Sequence, residues 1–181
     1  MRDSHTIINQ LSPSDALAVL KTLARDDEAL AARIAEVAIA HLNELEPEEV
    51  ASVLYDELDA LEVEEVWDRA GRTRDGYVEP IEVADEMVGA VIAPYLEELQ
   101  KYQALGMNEQ ANRMCMGLLL GLYEFDRESA NEFKDWADDA PAAFAEEVVS
   151  IWKDGRPSKS DIEALKTFIE EALGRWHKHL V

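Results

Sequence analysis

The chain carries a single cysteine, Cys115, in 181 residues, which excludes an internal disulfide. It has no long apolar run. Its most apolar stretch, Met114–Tyr123, is about half of the roughly 20 residues that a membrane span needs. The first ten residues lack the charged-then-apolar pattern of a secretory leader. These three features point to a cytoplasmic protein. Basic residues are scarce: 17 Lys and Arg stand against 39 Asp and Glu, a formal charge of −22. Affinity for nucleic acid comes largely from neutralising phosphates. A field this negative repels nucleic acid and anionic lipid alike, so neither direct phosphate binding nor membrane binding is expected. Alternating apolar and polar positions do not persist beyond a few residues anywhere, and no sheet is expected.

Motifs of known chemistry are also missing. There is no Glu-x-x-His for a carboxylate-bridged metal pair, no calcium loop, no Gly-x-Ser-x-Gly and no glycine-rich phosphate loop. His177 and His179 are two apart, which on a helix points them to different sides. Their placement suits cations near a helix C-terminus. His41 lies on an apolar stripe and reads as a buried, hydrogen-bonded histidine. Cys115 sits in the most apolar segment with no neighbouring cation to lower its pKa, and reads as structural. The acidic pairs Asp26-Asp27, Glu48-Glu49 and Glu64-Glu65 fall at helix starts, where they complement the helix dipole. No catalytic, cofactor-binding or metal-binding residue is identified.

What the chain does have is ordered punctuation. Pro13, Pro47 and Pro80 are spaced by 34 and 33 residues, and Pro141 and Pro157 also open apolar-periodic stretches. Proline suits the first helical position because its missing N–H would be unbonded there. The spacing predicts helices over about 13–25, 28–44, 47–61, 63–70, 80–105, 107–125, 141–153 and 158–178, with a short aromatic helix around Phe133 and Trp136. Pro94 is expected to kink or break the fifth of these. Gly117 and Gly121, four apart on the most apolar helix, are expected to admit a close neighbour. The fold class is therefore all-α: about nine helices, as an irregular α–α superhelix or a multi-helix bundle. One domain is expected over 1–181, with residues 1–11 loosely ordered. Within it, sub-units 12–71 and 80–181 would be joined by a loop at 71–79.

A helix pair of 34 residues has the length of a tetratricopeptide repeat. The segment Tyr102-Gln-Ala-Leu-Gly106-Met-Asn-Glu-Gln-Ala111 resembles the turn between the two helices of that repeat, and Ala35 and Pro47 stand twelve apart as its later alanine and closing proline do. The resemblance covers about a third of the chain and implies a helical-hairpin scaffold for protein or peptide partners. Phe133-Lys-Asp-Trp136 is similar to an aromatic helix of the redox-enzyme maturation chaperones, although the Asp-His pair of that family is absent here.

Two surfaces stand out. Arg69, Arg72 and Arg74 fall within six residues and are followed by Tyr77. Guanidinium forks suit carboxylates and phosphates, so this island is either an anion or acidic-peptide site or a set of cations paired with the protein's own acids. In the last helix Ile162, Leu165, Ile169, Ala172 and Trp176 recur by three and four. That seam either packs on its own domain or forms a homodimer. The reading that unites these features is a non-enzymatic interaction scaffold binding a protein or peptide. An acidic chaperone, or an enzyme whose site leaves no motif, are the alternatives.

Overall fold

Pro13, Pro47 and Pro80 each occupy the first turn of an α-helix in the computed structural model. Pro141 also lies in a first turn, whereas Pro157 precedes the capping residue Ser158 instead of entering the helix. The structure describes residues 7–42, 44–73 and 76–180, with the side chains of His41, Thr73, His177 and His179 outside that description. The expectations for Arg74 and for those three histidine side chains therefore lie outside the described residues.

The protein is all-α, as its periodicity indicated. Helices α1 (Pro13–Asp26) and α2 (Glu28–Leu42) pack on each other and belong to one compact unit, residues 1–44. Ser12 caps α1: its Oγ accepts from the Asp15 amide at 3.2 Å. Asp27 Oδ1 accepts from the Leu30 amide at 3.0 Å and starts α2. The second unit, residues 45–181, is the bundle. The two units divide at residue 44, not at the 71–79 segment, which lies inside the second unit.

The bundle is built on α3 (Pro47–Asp59), α4 (Val63–Arg69), α5 (Pro80–Ala104), α6 (Asn108–Glu128), α7 (Ala140–Asp154) and α8 (Lys159–Ala172). Helix α6 is the central element and packs against α3, α5, α7 and α8. Its Cys115, Leu118, Leu119, Leu122 and Phe125 are fully buried, and each such large side chain contributes about 1.5–3 kcal/mol relative to exposure. Gly117 and Gly121 line its contact with α3, bringing the two backbones close as their spacing predicted. A Cβ at Gly121 would stand 2.8 Å from the Ala51 carbonyl oxygen.

Three expectations need correction. Of the kink or break expected at Pro94, the break does not occur: helix α5 is continuous for 25 residues. Proline removes one backbone bond, but Val83, Ala84, Met87, Val88, Ile92, Leu99 and Tyr102 form one buried stripe across the site and hold the helix on both sides. Residues 71–78 are not plain loop. Gly71–Thr73 (β1) and Gly76–Val78 (β2) pair antiparallel, with Arg72 opposite Tyr77. Each strand is only three residues long, too short for alternation to register in the sequence. Gly71 and Gly76, at φ 105° and 146°, take the backbone turns that side chains disfavour. Finally, the last helix is not continuous to residue 178. It ends at Ala172 and is followed by 3₁₀ turn Gly174–Trp176 and the short α9 (His177–Leu180). Gly174 has φ 39°, and its missing Cβ makes room for the Tyr123 hydroxyl.

Candidate functional site

The hairpin β1–β2 connects the end of α4 directly to the start of α5, so its two side-chain faces are held at the edge of the bundle. Arg72 and Tyr77 are directly opposite each other. Directly opposite residues of an antiparallel pair stand on the same face with Cβ atoms about 4.5–5.5 Å apart. Both residues are exposed, Tyr77 by 62%. Among the described residues Arg72 takes part in no ion pair.

Arg69 is placed differently. Its guanidinium Nη2 donates to Glu86 Oε2 at 2.8 Å, joining α4 to α5. The arginine island is thus divided: Arg69 is paired with the protein's own acid, Arg72 with Tyr77 faces solvent, and Arg74 lies outside the described residues.

Sequence reasoning missed an aromatic on the helix that precedes this hairpin. Trp67 on α4 is half-exposed and meets Trp136 edge-to-face, with ring centroids 4.4 Å apart. Trp136 closes the 3₁₀ turn Glu132–Trp136. That turn is pinned by Asn131, whose Nδ2 donates to the carbonyls of Asp59 at 2.7 Å and Leu61 at 2.9 Å. Ser129 Oγ donates to Asp59 Oδ1 at 2.5 Å beside it. The aromatic helix expected at Phe133-Lys-Asp-Trp136 is therefore a tight 3₁₀ turn. Its Phe133 is fully buried and its Trp136 supports Trp67. Only the tryptophan on α4, seven residues after a capping Ala60, hinted at this, through its place on a short helix with few apolar neighbours.

The seam of the last helix is covered by the bundle. Leu165 and Ile169 are buried and α8 packs on α6. Ile162 and Ala172 are half-buried. Trp176 falls beyond the helix end, buried against Tyr123 with ring centroids 5.3 Å apart. Leu165, Ile169 and Trp176 of the expected seam thus take part in intrachain packing, Trp176 after the chain turns at Gly174.

That fold-back shapes an open cleft lined by Tyr123, Asp126, Arg127, Gly174 and Arg175. Its cations are engaged. Arg175 pairs with Asp126, and Arg127 Nη1 donates to the Tyr123 hydroxyl at 3.3 Å with its guanidinium 5.5 Å from the ring centre. Cys115 is fully buried, and desolvation pushes its thiol far above the ordinary range, so it has no thiolate character. Among the described residues no three His, Cys, Asp or Glu side chains gather to hold a metal ion. No described helix is long and apolar enough to cross a membrane. No protein-family model, curated protein or solved structure matches the chain.

Proposed function

We propose that this protein is a binding module for a protein or peptide partner, and that the hairpin face at Arg72 and Tyr77 is where the partner docks. The observation that carries this reading is the exposed, facing pair itself. An arginine with no ion pair among the described residues stands across the strand pair from an exposed tyrosine in a protein that otherwise carries more than two acids for every base. Arg, Tyr and Trp are the residue types that dominate binding energy at interfaces. The guanidinium supplies a fork for a carboxylate, while Tyr77 and Trp67 supply apolar area with little conformational entropy to lose.

The acidic rim defines the partner further. Glu64, Glu65 and Asp68 on α4, with Glu79 and Glu82 at the start of α5, surround the hairpin in the chain. A ligand acidic throughout would be repelled by them, so the fitting partner has one or two carboxylates next to an apolar residue. Selection from a displayed peptide library tests this. The selected peptides should share an Asp or Glu next to a large apolar residue, and Arg72→Gln should remove their binding. Selection that Arg72→Gln and Tyr77→Ala leave unchanged would refute the reading.

A further inference from the structure

Within the first unit, α1 and α2 cover little of each other's apolar surface. No described residue of 7–44 is buried. Leu30 and Ile34 are half-buried, as are Ala16, Ala24 and Ala31. Val37, one turn further along the stripe of Leu30 and Ile34, is 61% exposed. On α1, Leu17, Leu20 and Leu23 follow each other by threes along one side, and all are exposed, as are Val19 and Ile39. Two amphipathic helices with exposed leucines of this number are half of a layered core.

Charge indicates what supplies the other half. Residues 45–181 hold 32 of the 39 acids and 13 of the 17 bases, a formal charge of −19; residues 1–44 hold 7 acids and 4 bases, a charge of −3. Two copies of this chain would repel each other through the bundle, and the α1–α2 unit, with the smaller charge, is where that repulsion is least. Its charges are mixed: Lys21, Arg25 and Arg33 are interspersed with Asp15, Asp26, Asp27, Glu28 and Glu36, and although Arg25 pairs with Asp26 of its own helix, Lys21 and Arg33 allow an isologous contact to pair opposite signs. The exposed parts of Leu17, Val19, Leu20, Leu23, Val37 and Ile39, with Ile7 and Ile8, amount to about four whole aliphatic side chains per copy. That is enough apolar surface for the centre of an interface in which roughly 20–30 residues take part on each side.

We infer that the α1–α2 hairpin is a homodimerisation element, in which two copies join as a four-helix bundle around Leu17, Leu20, Leu23 and Val37. This relocates self-association from the last helix to the first two, and it is independent of the partner face at Arg72.

Sedimentation equilibrium of the full chain tests it, from about 1 to 200 μM protein at low and high salt. The expected result is a mass that rises from 20.3 kDa toward twice that value. Association should tighten as salt screens the repulsion between bundles, opposite to an interface held by charge attraction. Leu20→Gln with Val37→Gln should weaken the dimer at least tenfold, and Ile81→Gln, a loss of one exposed apolar side chain on the second unit, should leave it unchanged. Far-UV circular dichroism checks that helix is retained. If the double variant loses helix, Leu23→Ala should weaken association in the same direction without that loss. A mass of 20.3 kDa at every concentration and salt would overturn the inference. So would a dimer indifferent to the hairpin variants, or a monomer that floats with neutral phosphatidylcholine vesicles, which would give the face to a lipid surface.

Discussion

Gly117 on α6 lies against Val50 on α3 so closely that a Cβ at Gly117 would stand 2.7 Å from the Val50 Cβ. One turn on, Gly121 meets the backbone of Ala51. The two glycines let α3 and α6 approach each other closely. They fix α3, and through its C-terminal carbonyls the 3₁₀ turn that supports Trp67.

Gly121→Ala should therefore destabilise the protein by about 1–3 kcal/mol, the usual cost of overpacking a filled site. The obstacle is Ala51 backbone, which cannot rotate away. Gly89→Ala should cost less, because the atom it would meet at 3.1 Å belongs to the Phe144 ring, which can shift. Urea denaturation midpoints of the two variants check the order.

Pro94→Ala should raise stability. The helix already runs through the site, Pro94 is exposed, and proline in a helix interior costs on the order of 3 kcal/mol relative to alanine, before any loss of unfolded-state restriction. A thermal melt that moves down instead would show that the ring has a packing role.

Asp161 makes stability depend on acid. Its hydrogen bonds with Ser158 hold its carboxyl below the ordinary value. Its Oδ2 accepts from the Ser158 amide at 2.9 Å, and its Oδ1 accepts from Asn112 Nδ2 at 2.8 Å. A depressed folded-state pKa gives stability that is fully present above the unfolded value near 3.8 and is lost as pH falls through the folded value. Asp161→Ala should cost about 1 kcal/mol at pH 6, the usual worth of a helix cap. The difference from the parent should shrink below pH 4, as read by denaturation at each pH.

Cys115 should be inert in the native protein. A thiol reagent should label it only at the rate of global unfolding, and denaturant should make labelling immediate. Rapid labelling under native conditions would mean that α6 opens locally.

The parts of this structure that were legible from sequence are those carried by repeated local signals. Pro13, Pro47, Pro80 and Pro141 stand in first turns, and Leu165–Ile169 and Gly117–Gly121, each four apart, face the packing that their helical spacing put them in. The all-α class followed from them. What was illegible depends on single residues or on distant ones. Pro94 reads as a breaker unless the buried stripe on both sides of it is known. The hairpin at Arg72 and Tyr77 is too short for any period. Whether Arg69 is free depends on Glu86, seventeen residues away. Trp176 lies on the spacing of the last helix, yet Gly174 takes it out of that helix. The candidate site was half-legible for the same reason: the basic island shows in the sequence, but that Arg69 is paired while Arg72 has no ion pair among the described residues is decided by tertiary structure.

The most direct test of the partner-binding account is a titration of the protein with a short labelled peptide that places one Glu beside one Phe, followed by fluorescence anisotropy. The account predicts saturable binding that weakens at least tenfold with Arg72→Gln and with the Glu of the peptide replaced by Gln. The double change should cost no more than either alone, because both remove one contact. Binding that is indifferent to Arg72, or that disappears only when residues far from the hairpin are changed, would contradict it.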